Sequence, residues 1–299
     1  MTGSPLIGEA LAEAARCMAE QGVGESRLDA EVLLAHVLGV ARLSFYLNPE
    51  QPLAPVQESR YWELVRRRGT GEPLAYLLGE KEFFSLPFFV NRAVLIPRPE
   101  TEQVVEAALE ALRRATDAGR EATFFDVGTG SGAIAVAVLV NLPGCRAWAS
   151  DVSAAALRLA RRNAERHGVA DRLTLIEADL FAEFGGTVDV VVSNPPYVSD
   201  GERDLLPRDV RNFEPPEALF AGPDGLTIIR RLIEQSPSHL APGGRLILEI
   251  GYSKDAEVRR LLEADGRWTD VEIRNDLAGI PRIAIASVGQ VLNLSPKSM

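Results

Sequence analysis

The sequence predicts an α/β protein: a mostly parallel, seven-stranded, doubly wound sheet preceded by a small helical bundle, with a β-hairpin between them. Three observations point to it. From Glu121 onward, short β-branched and aromatic runs alternate with segments of helical period, the pattern left by parallel βαβ units. A glycine-rich turn, Gly128-Thr129-Gly130-Ser131-Gly132, separates the first of those runs from its helix. Ahead of Glu82, apolar residues recur only at helical spacing, with no strand signal.

The helical domain is expected over 1–82. Leu6, Ile7, Ala10, Leu11, Ala14, Ala15 and Met18 recur at helical spacing, and Gly22 and Gly24 break that helix. Ser26 is a candidate N-cap, with Asp29 three residues on and Val32, Leu33, Leu34 and Val37 behind it. Gly39 stops this second helix. A third helix is expected over Val56 to Arg68. Its end carries Arg66, Arg67 and Arg68, which read as a solvated terminus where cations suit the macrodipole.

The linker, 83–99, has Phe83, Phe84, Phe88, Phe89, Val90, Val94, Leu95 and Ile96 around Pro87 and Asn91-Arg92, which reads as a two-stranded hairpin. Pro97-Arg98-Pro99 could hold Arg98 rigidly at the edge of a site, or serve only as a helix entry. The α/β domain is expected over 100–288. Its strands are Thr123 to Val127, Arg146 to Ser150, Leu173 to Glu177, Val188 to Ser193, Arg245 to Ile250, Asp270 to Arg274 and Arg282 to Ser287. The first helix of the alternating part is expected over Ser131 to Leu142. Residues 289–299 read as a polar, flexible tail.

Composition excludes several classes. A net charge of −10 and a pI near 5.0 argue against a general duplex-DNA binder, which needs a positive footprint. Two cysteines, Cys17 and Cys145, fit a reducing compartment without disulfides. The stretch from Met1 to Ala10 has no basic secretory n-region. The longest apolar run, Ala133 to Val140, is too short to span a bilayer. A soluble, cytoplasmic, monomeric protein is expected, without a metal site and without direct contact to nucleic acid or membrane.

The chemistry is expected at Asn194-Pro195-Pro196-Tyr197, directly after the apolar run Val190-Val191-Val192. The prolines end the strand and stiffen the loop. Its position is the carboxyl end of a strand, where open α/β sheets place ligands. The Asn194 side-chain oxygen and the Pro195 carbonyl could each accept one proton of a flat NH2 group. That grip would steer the nitrogen lone pair toward an electrophile. Tyr197 would offer a ring for a planar group to stack on. Asn194, Pro195 and Tyr197 are therefore the candidate catalytic residues, and Asn194, Pro195, Pro196, Tyr197 and Arg98 the candidate substrate contacts.

The cofactor side is expected at Gly128, Thr129, Gly130, Ser131 and Gly132, with free helix-start N–H groups for a carboxylate or phosphate. Asp151 would accept ribose hydroxyls, Asp179 would meet a purine amine, and Leu180 would pack on the base, with Phe181 beside it. A P-loop reading fails for want of its lysine. The spacing G-x-G-x-G is one residue short of the dinucleotide fingerprint. Asp151 alone would fit NAD as well as a methyl donor. The Asn194 loop breaks the tie, because it makes sense for methyl transfer and not for hydride transfer.

On these residues the chain resembles the bacterial HemK/PrmC family, the protein-(glutamine-N5) methyltransferases of peptide-chain release factors. The resemblance extends over nearly the whole chain. It includes Pro73-Leu74-Ala75-Tyr76-Leu77-Leu78-Gly79, Leu95 to Glu102, Asp126 to Gly132, Ser193 to Tyr197, Glu214-Pro215 to Gly225-Leu226, and Pro242 to Gly251. It implies a class I, Rossmann-like methyltransferase that uses S-adenosyl-L-methionine and releases S-adenosyl-L-homocysteine. It also implies that the substrate is the glutamine of the Gly-Gly-Gln loop of class I release factors, held in part by the helical domain. By position, the donor site would include Gly128 to Gly132, Asp151, Asp179, Leu180 and Asn194. Adenine N6-methylation of DNA or RNA is the main alternative, and a non-catalytic donor-binding scaffold the other.

Overall fold

The computed structural model describes residues 5–117 and 119–289; the expected tail lies outside them, apart from its first residue. The chain divides into two compact units. One contains the residues up to Glu80 together with Leu206–Phe213, the other Lys81–Leu205 together with the residues from Glu214.

The first unit is helical. It is built from α1 (Ile7–Glu20), α2 (Ser26–Leu38), α3 (Leu43–Leu47), α4 (Pro55–Gly69) and α5 (Leu74–Leu78). Helix α1 buries Ile7, Ala10, Leu11, Ala14 and Met18, one stripe at 3–4 spacing. The stripe packs on Leu33, Leu34, Tyr61, Leu64 and Val65. The Tyr61 hydroxyl is buried and donates to the Ala30 carbonyl at 3.1 Å. Two expectations change here. Glu25 stands at the N-cap of α2 without a side-chain cap bond, and Asp29 is buried, accepting from Arg68 Nε at 2.6 Å. Arg67 makes a two-pronged bond to buried Glu72, at 2.9 Å on each prong. Two of the three adjacent arginines are thus partners of buried carboxylates. Losing either arginine would remove a charge partner from a buried acid.

The second unit opens with a hairpin of β1 (Glu80–Phe83) and β2 (Leu86–Phe89), shorter than expected. Phe84 and Ser85 form its turn with φ of 50° and 59°, the left-handed pair that a two-residue hairpin turn of primed type needs. Then follow α6 (Glu102–Asp117), β3 (Ala122–Val127), α7 (Ala133–Asn141), β4 (Cys145–Asp151), α8 (Ala154–Arg166), β5 (Leu173–Glu177) and β6 (Val188–Ser193). Helix α9 (Arg208–Phe213) belongs to the helical unit. The rest comprises α10 (Thr227–Gln235), β7 (Leu240–Glu249), α11 (Asp255–Asp265), β8 (Trp268–Asn275) and β9 (Pro281–Val288).

The sheet order is β5-β4-β3-β6-β7-β9-β8. Strands β3 to β7 pair in parallel, while β9 runs antiparallel to both β7 and β8. Alternation along the strands feeds two cores. Phe124, Val190, Val192 and Ile247 join α6 and α7 on one face; Phe125, Val191, Leu246 and Leu248 join α10 and α11 on the other. The order reverses between β3 and β6, which makes a crevice outside their carboxyl ends. Among the described residues, no helix is long and apolar enough to cross a membrane.

Candidate active site

Strands β3 and β6 end level, with Val127 opposite Ser193. The Ser193 hydroxyl donates to the Val127 carbonyl at 2.7 Å. The glycine loop and the Asn194 loop therefore leave the sheet side by side. A cleft of about 1080 Å³, counting the solvent in its mouth, opens at this point. Gly128, Thr129, Gly130, Ser131, Asp151, Asp179, Leu180, Asn194, Pro195 and Pro196 line it.

The glycine loop is held mostly by main chain. Gly128 N and Thr129 N donate to the Ser150 carbonyl at 2.9 Å each, and Gly132 N donates to Thr129 O at 2.9 Å. Gly130 N donates to Asp151 Oδ2 at 2.9 Å. The free N–H groups expected for a ligand are those of the helix start that follows, not those of the glycine turn itself. Four of its amides are engaged, so the loop contributes shape and close approach instead. Beneath it, the Thr129 hydroxyl donates to buried Asp126 at 2.6 Å. Burial pushes the Asp126 carboxyl up to about 7. Buried Asn163 on α8 donates to the carbonyls of Ser131 and Phe89 and accepts from Phe89 N. It thereby ties the hairpin to the loop.

Gly132 does not line the cleft. A Cβ there would lie 3.1 Å from the Ala160 Cβ, at a φ of +79°, so this glycine lets α8 approach the loop. The same left-handed backbone delays the helix start from the expected Ser131 to Ala133.

Asp151 also accepts from Ser153 N through Oδ1 at 2.9 Å. Both oxygens are aimed by backbone donors, and each keeps a lone pair for a ligand hydroxyl. Its pKa is raised, chiefly by burial, with Glu217 adding to the effect. Asp179 lines the cleft while accepting from Arg231 at 2.8 Å. Leu180 lines it with a φ of 53°, an uncommon conformation for a residue bearing a Cβ. Phe181 turns away, packing on Phe125 and stacking on the His239 ring at 4.5 Å.

The Asn194 loop is held by side chains. Asn194 Nδ2 donates to Thr101 Oγ1 at 3.0 Å. The Thr101 hydroxyl donates to Glu249 Oε2 at 2.6 Å, and the Tyr197 hydroxyl donates to Glu249 Oε1 at 3.2 Å. Glu249 is 1% exposed, and burial pushes its pKa up to about 7. Burial, with the Glu249 charge beside it, also raises the pKa of Tyr197. Gly225 fits under the loop because a Cβ there would run into the Tyr197 carbonyl oxygen. Tyr197 is not part of the cleft wall; its ring packs in the core, against the face that carries Leu248 and Ile250. Arg98 is not part of the wall either. Its guanidinium bonds Glu214, a buried acid, at 2.5 Å.

Among the wall and support residues not expected from the sequence are Thr101, Glu217 and Glu249. All three lie in stretches that carry the family resemblance, and Glu249 also ends the apolar run Leu246-Ile247-Leu248. Among the described residues of the wall, the charged side chains are Asp151, Asp179 and Glu217, with no Lys or Arg. That set fits a nucleoside carrying a cation better than a pyrophosphate, whose charge it would repel.

The fold is that of the class I methyltransferases. The hMettl16 catalytic domain in complex with MAT2A 3'UTR hairpin 6 superposes with a TM-score of 0.56 at 18% identity, covering 75% of this chain and 82% of that one. A methyltransferase from Pyrococcus furiosus gives 0.50 at 19% identity, covering 70% of this chain and 92% of that one. Family models match as "PrmC N-terminal domain" over residues 9–79 and "Methyltransferase small domain" over 102–208. The release factor glutamine methyltransferase of Moorella thermoacetica is 44% identical over 281 residues, 94% of this chain and 98% of its own. Its counterpart in Rhodopirellula baltica is 43% identical over 266 residues, 88% of this chain and 90% of its own. The chain belongs to the release factor glutamine methyltransferase family.

Proposed function

We propose that the protein methylates the side-chain amide nitrogen of the glutamine in the Gly-Gly-Gln loop of class I release factors, using S-adenosyl-L-methionine. The single observation that carries the reading is the orientation of Asn194 at the cleft. Its Nδ2 is committed to Thr101, which leaves Oδ1 as the acceptor for a ligand. When bound, the donor supplies a methyl whose C–S bond breaks, with the electron pair left on sulfur, as the glutamine nitrogen forms the new N–C bond.

The chain's own residues do the rest. Asn194 Oδ1 and the Pro195 carbonyl oxygen accept the two amide protons and hold the nitrogen in line. Pro196 closes the wall beside them. The amide becomes acidic as it is alkylated, so one proton passes to water without a dedicated base. Asp151 receives the ribose hydroxyls, Leu180 borders the base, and the acidic wall suits the sulfonium charge. Arg98 stiffens the rim through Glu214, and Tyr197 anchors the loop through Glu249. The helical domain, 1–82, helps hold the release factor, and the protein works as a monomer in the cytoplasm.

Incubation with donor and purified release factor tests the reading by peptide mass. The Gly-Gly-Gln peptide should gain one methyl, and a release factor with that glutamine replaced should gain none. Methyl gain on nucleic acid alone would overturn the assignment.

A further inference from the structure

A carboxamide can face a cavity with its oxygen or with its NH2, two atoms of nearly equal size. Only the oxygen can accept a substrate amide proton. The neighbours of Asn194 decide between the two. A hydroxyl has one proton. In Thr101 that proton goes to Glu249 Oε2 at 2.6 Å, so its oxygen is left to accept, from Asn194 Nδ2 at 3.0 Å. Glu249 accepts at both oxygens, from Thr101 and from Tyr197, a pattern that suits the ionised carboxylate. Thr101 and Glu249 are 4% and 1% exposed, so water does not compete.

We propose that Glu249, acting through Thr101, is a positioning residue that keeps the oxygen of the Asn194 carboxamide toward the substrate. The proposal rests on the acceptor role given to Asn194 above. Protonation of Glu249 at Oε2 reverses the relay. The carboxyl then donates to Thr101, the Thr101 proton is released to Asn194 Oδ1, and the amide turns its NH2 into the cleft. Two NH2 groups then face each other and the grip is lost.

The groups facing Glu249 come from several elements. Thr101 and the Tyr197 hydroxyl bond its ionised form, Arg282 on β9 favours it, and Glu100 beside Thr101 opposes it. Arg98 acts on the Tyr197 side. Burial is the largest influence and brings the carboxyl up to about 7, so the relay reverses near neutrality. A neutral, well-packed residue at a site this buried is often the more stable choice, so a purely structural role gives little reason for an acid here.

The test is the pH profile of kcat at saturating donor and release factor. Wild type should lose activity below an apparent pKa near 7, approaching about tenfold per pH unit. Thr101→Val should lower kcat by about a hundredfold and abolish the acid limb, while calorimetry shows donor binding retained. Thr101→Ser should restore most of the rate and the limb. Infrared difference spectra should show a protonated carboxyl band that titrates with the same midpoint and is lost in Glu249→Gln. Unchanged kcat in Thr101→Val, or an acid limb that persists in it, overturns the relay. If Thr101→Val does not fold, a carboxyl band midpoint that departs from the wild-type kinetic midpoint overturns it. Asn194→Ala at near-normal rate would instead overturn the role of Asn194 itself.

Discussion

Two loops leave neighbouring strands at the same level, yet they are held in opposite ways. The glycine loop after β3 is fixed mostly by main-chain bonds, to the Ser150 carbonyl and within itself, with one bond to the aimed carboxylate of Asp151. The Asn194 loop after β6 is fixed by prolines and by a side-chain relay that ends in a buried acid. The main-chain bonds of the first loop carry no titrating group and survive most side-chain changes; its proton-sensitive supports are the carboxylates of Asp126 and Asp151. A side-chain relay depends on each member and on one proton. On the proposed function, donor binding and chemistry fall to separable pieces of structure, and a variant of one loop should spare the task of the other.

The sharpest separation is expected for Asn194→Ala. Loss of one positioned acceptor should lower kcat by roughly a thousandfold, while the donor dissociation constant, read by calorimetry, changes little. A matching loss of donor affinity would break the contrast. Asp151→Ala should do the reverse. Removing charge-assisted hydrogen bonds should weaken donor binding by about 2–3 kcal/mol, with kcat at saturating donor much less affected.

Gly225→Ala probes the packing under the Asn194 loop. A φ of +75° and the Tyr197 carbonyl both exclude a Cβ. A stability loss of about 1–2 kcal/mol is expected, read as a lower midpoint in urea, together with a reduced kcat.

Asp126→Asn should have the smallest effect on activity and act on stability alone. Burial holds the Asp126 carboxyl at about 7, above its ordinary 3.8. Between those values the folded state keeps a proton that the unfolded state has lost, so stability falls as pH rises through the window. Asparagine removes that dependence. From about pH 5 to about pH 8 the wild type should lose about 2–3 kcal/mol more stability than the variant, a Tm drop larger by about 5–10 °C.

Much of this was legible in the sequence because it is local. The continuous apolar run Val190-Val191-Val192 marks a buried strand, and Pro195-Pro196 marks where it must end. Gly128, Gly130 and Gly132 mark a turn of positive φ, as found at all three. What the local pattern could not carry was the partner of each polar group. Arg98 was expected at a substrate and lies on Glu214, 116 residues away in the chain. Asp29 was expected in the first turn behind a Ser26 cap and instead pairs with Arg68, 39 residues on.

The sequence by itself determined the α/β class, the strand ends and the identity of the two loops, because periodicity, proline and glycine act within a few residues. The tertiary structure alone decided which atom of Asn194 faces the cleft. That choice depends on Thr101 and Glu249, which lie 93 residues before and 55 residues after it in the chain. A hydrogen bond is set by distance and direction in space, and spacing along the chain carries no record of either.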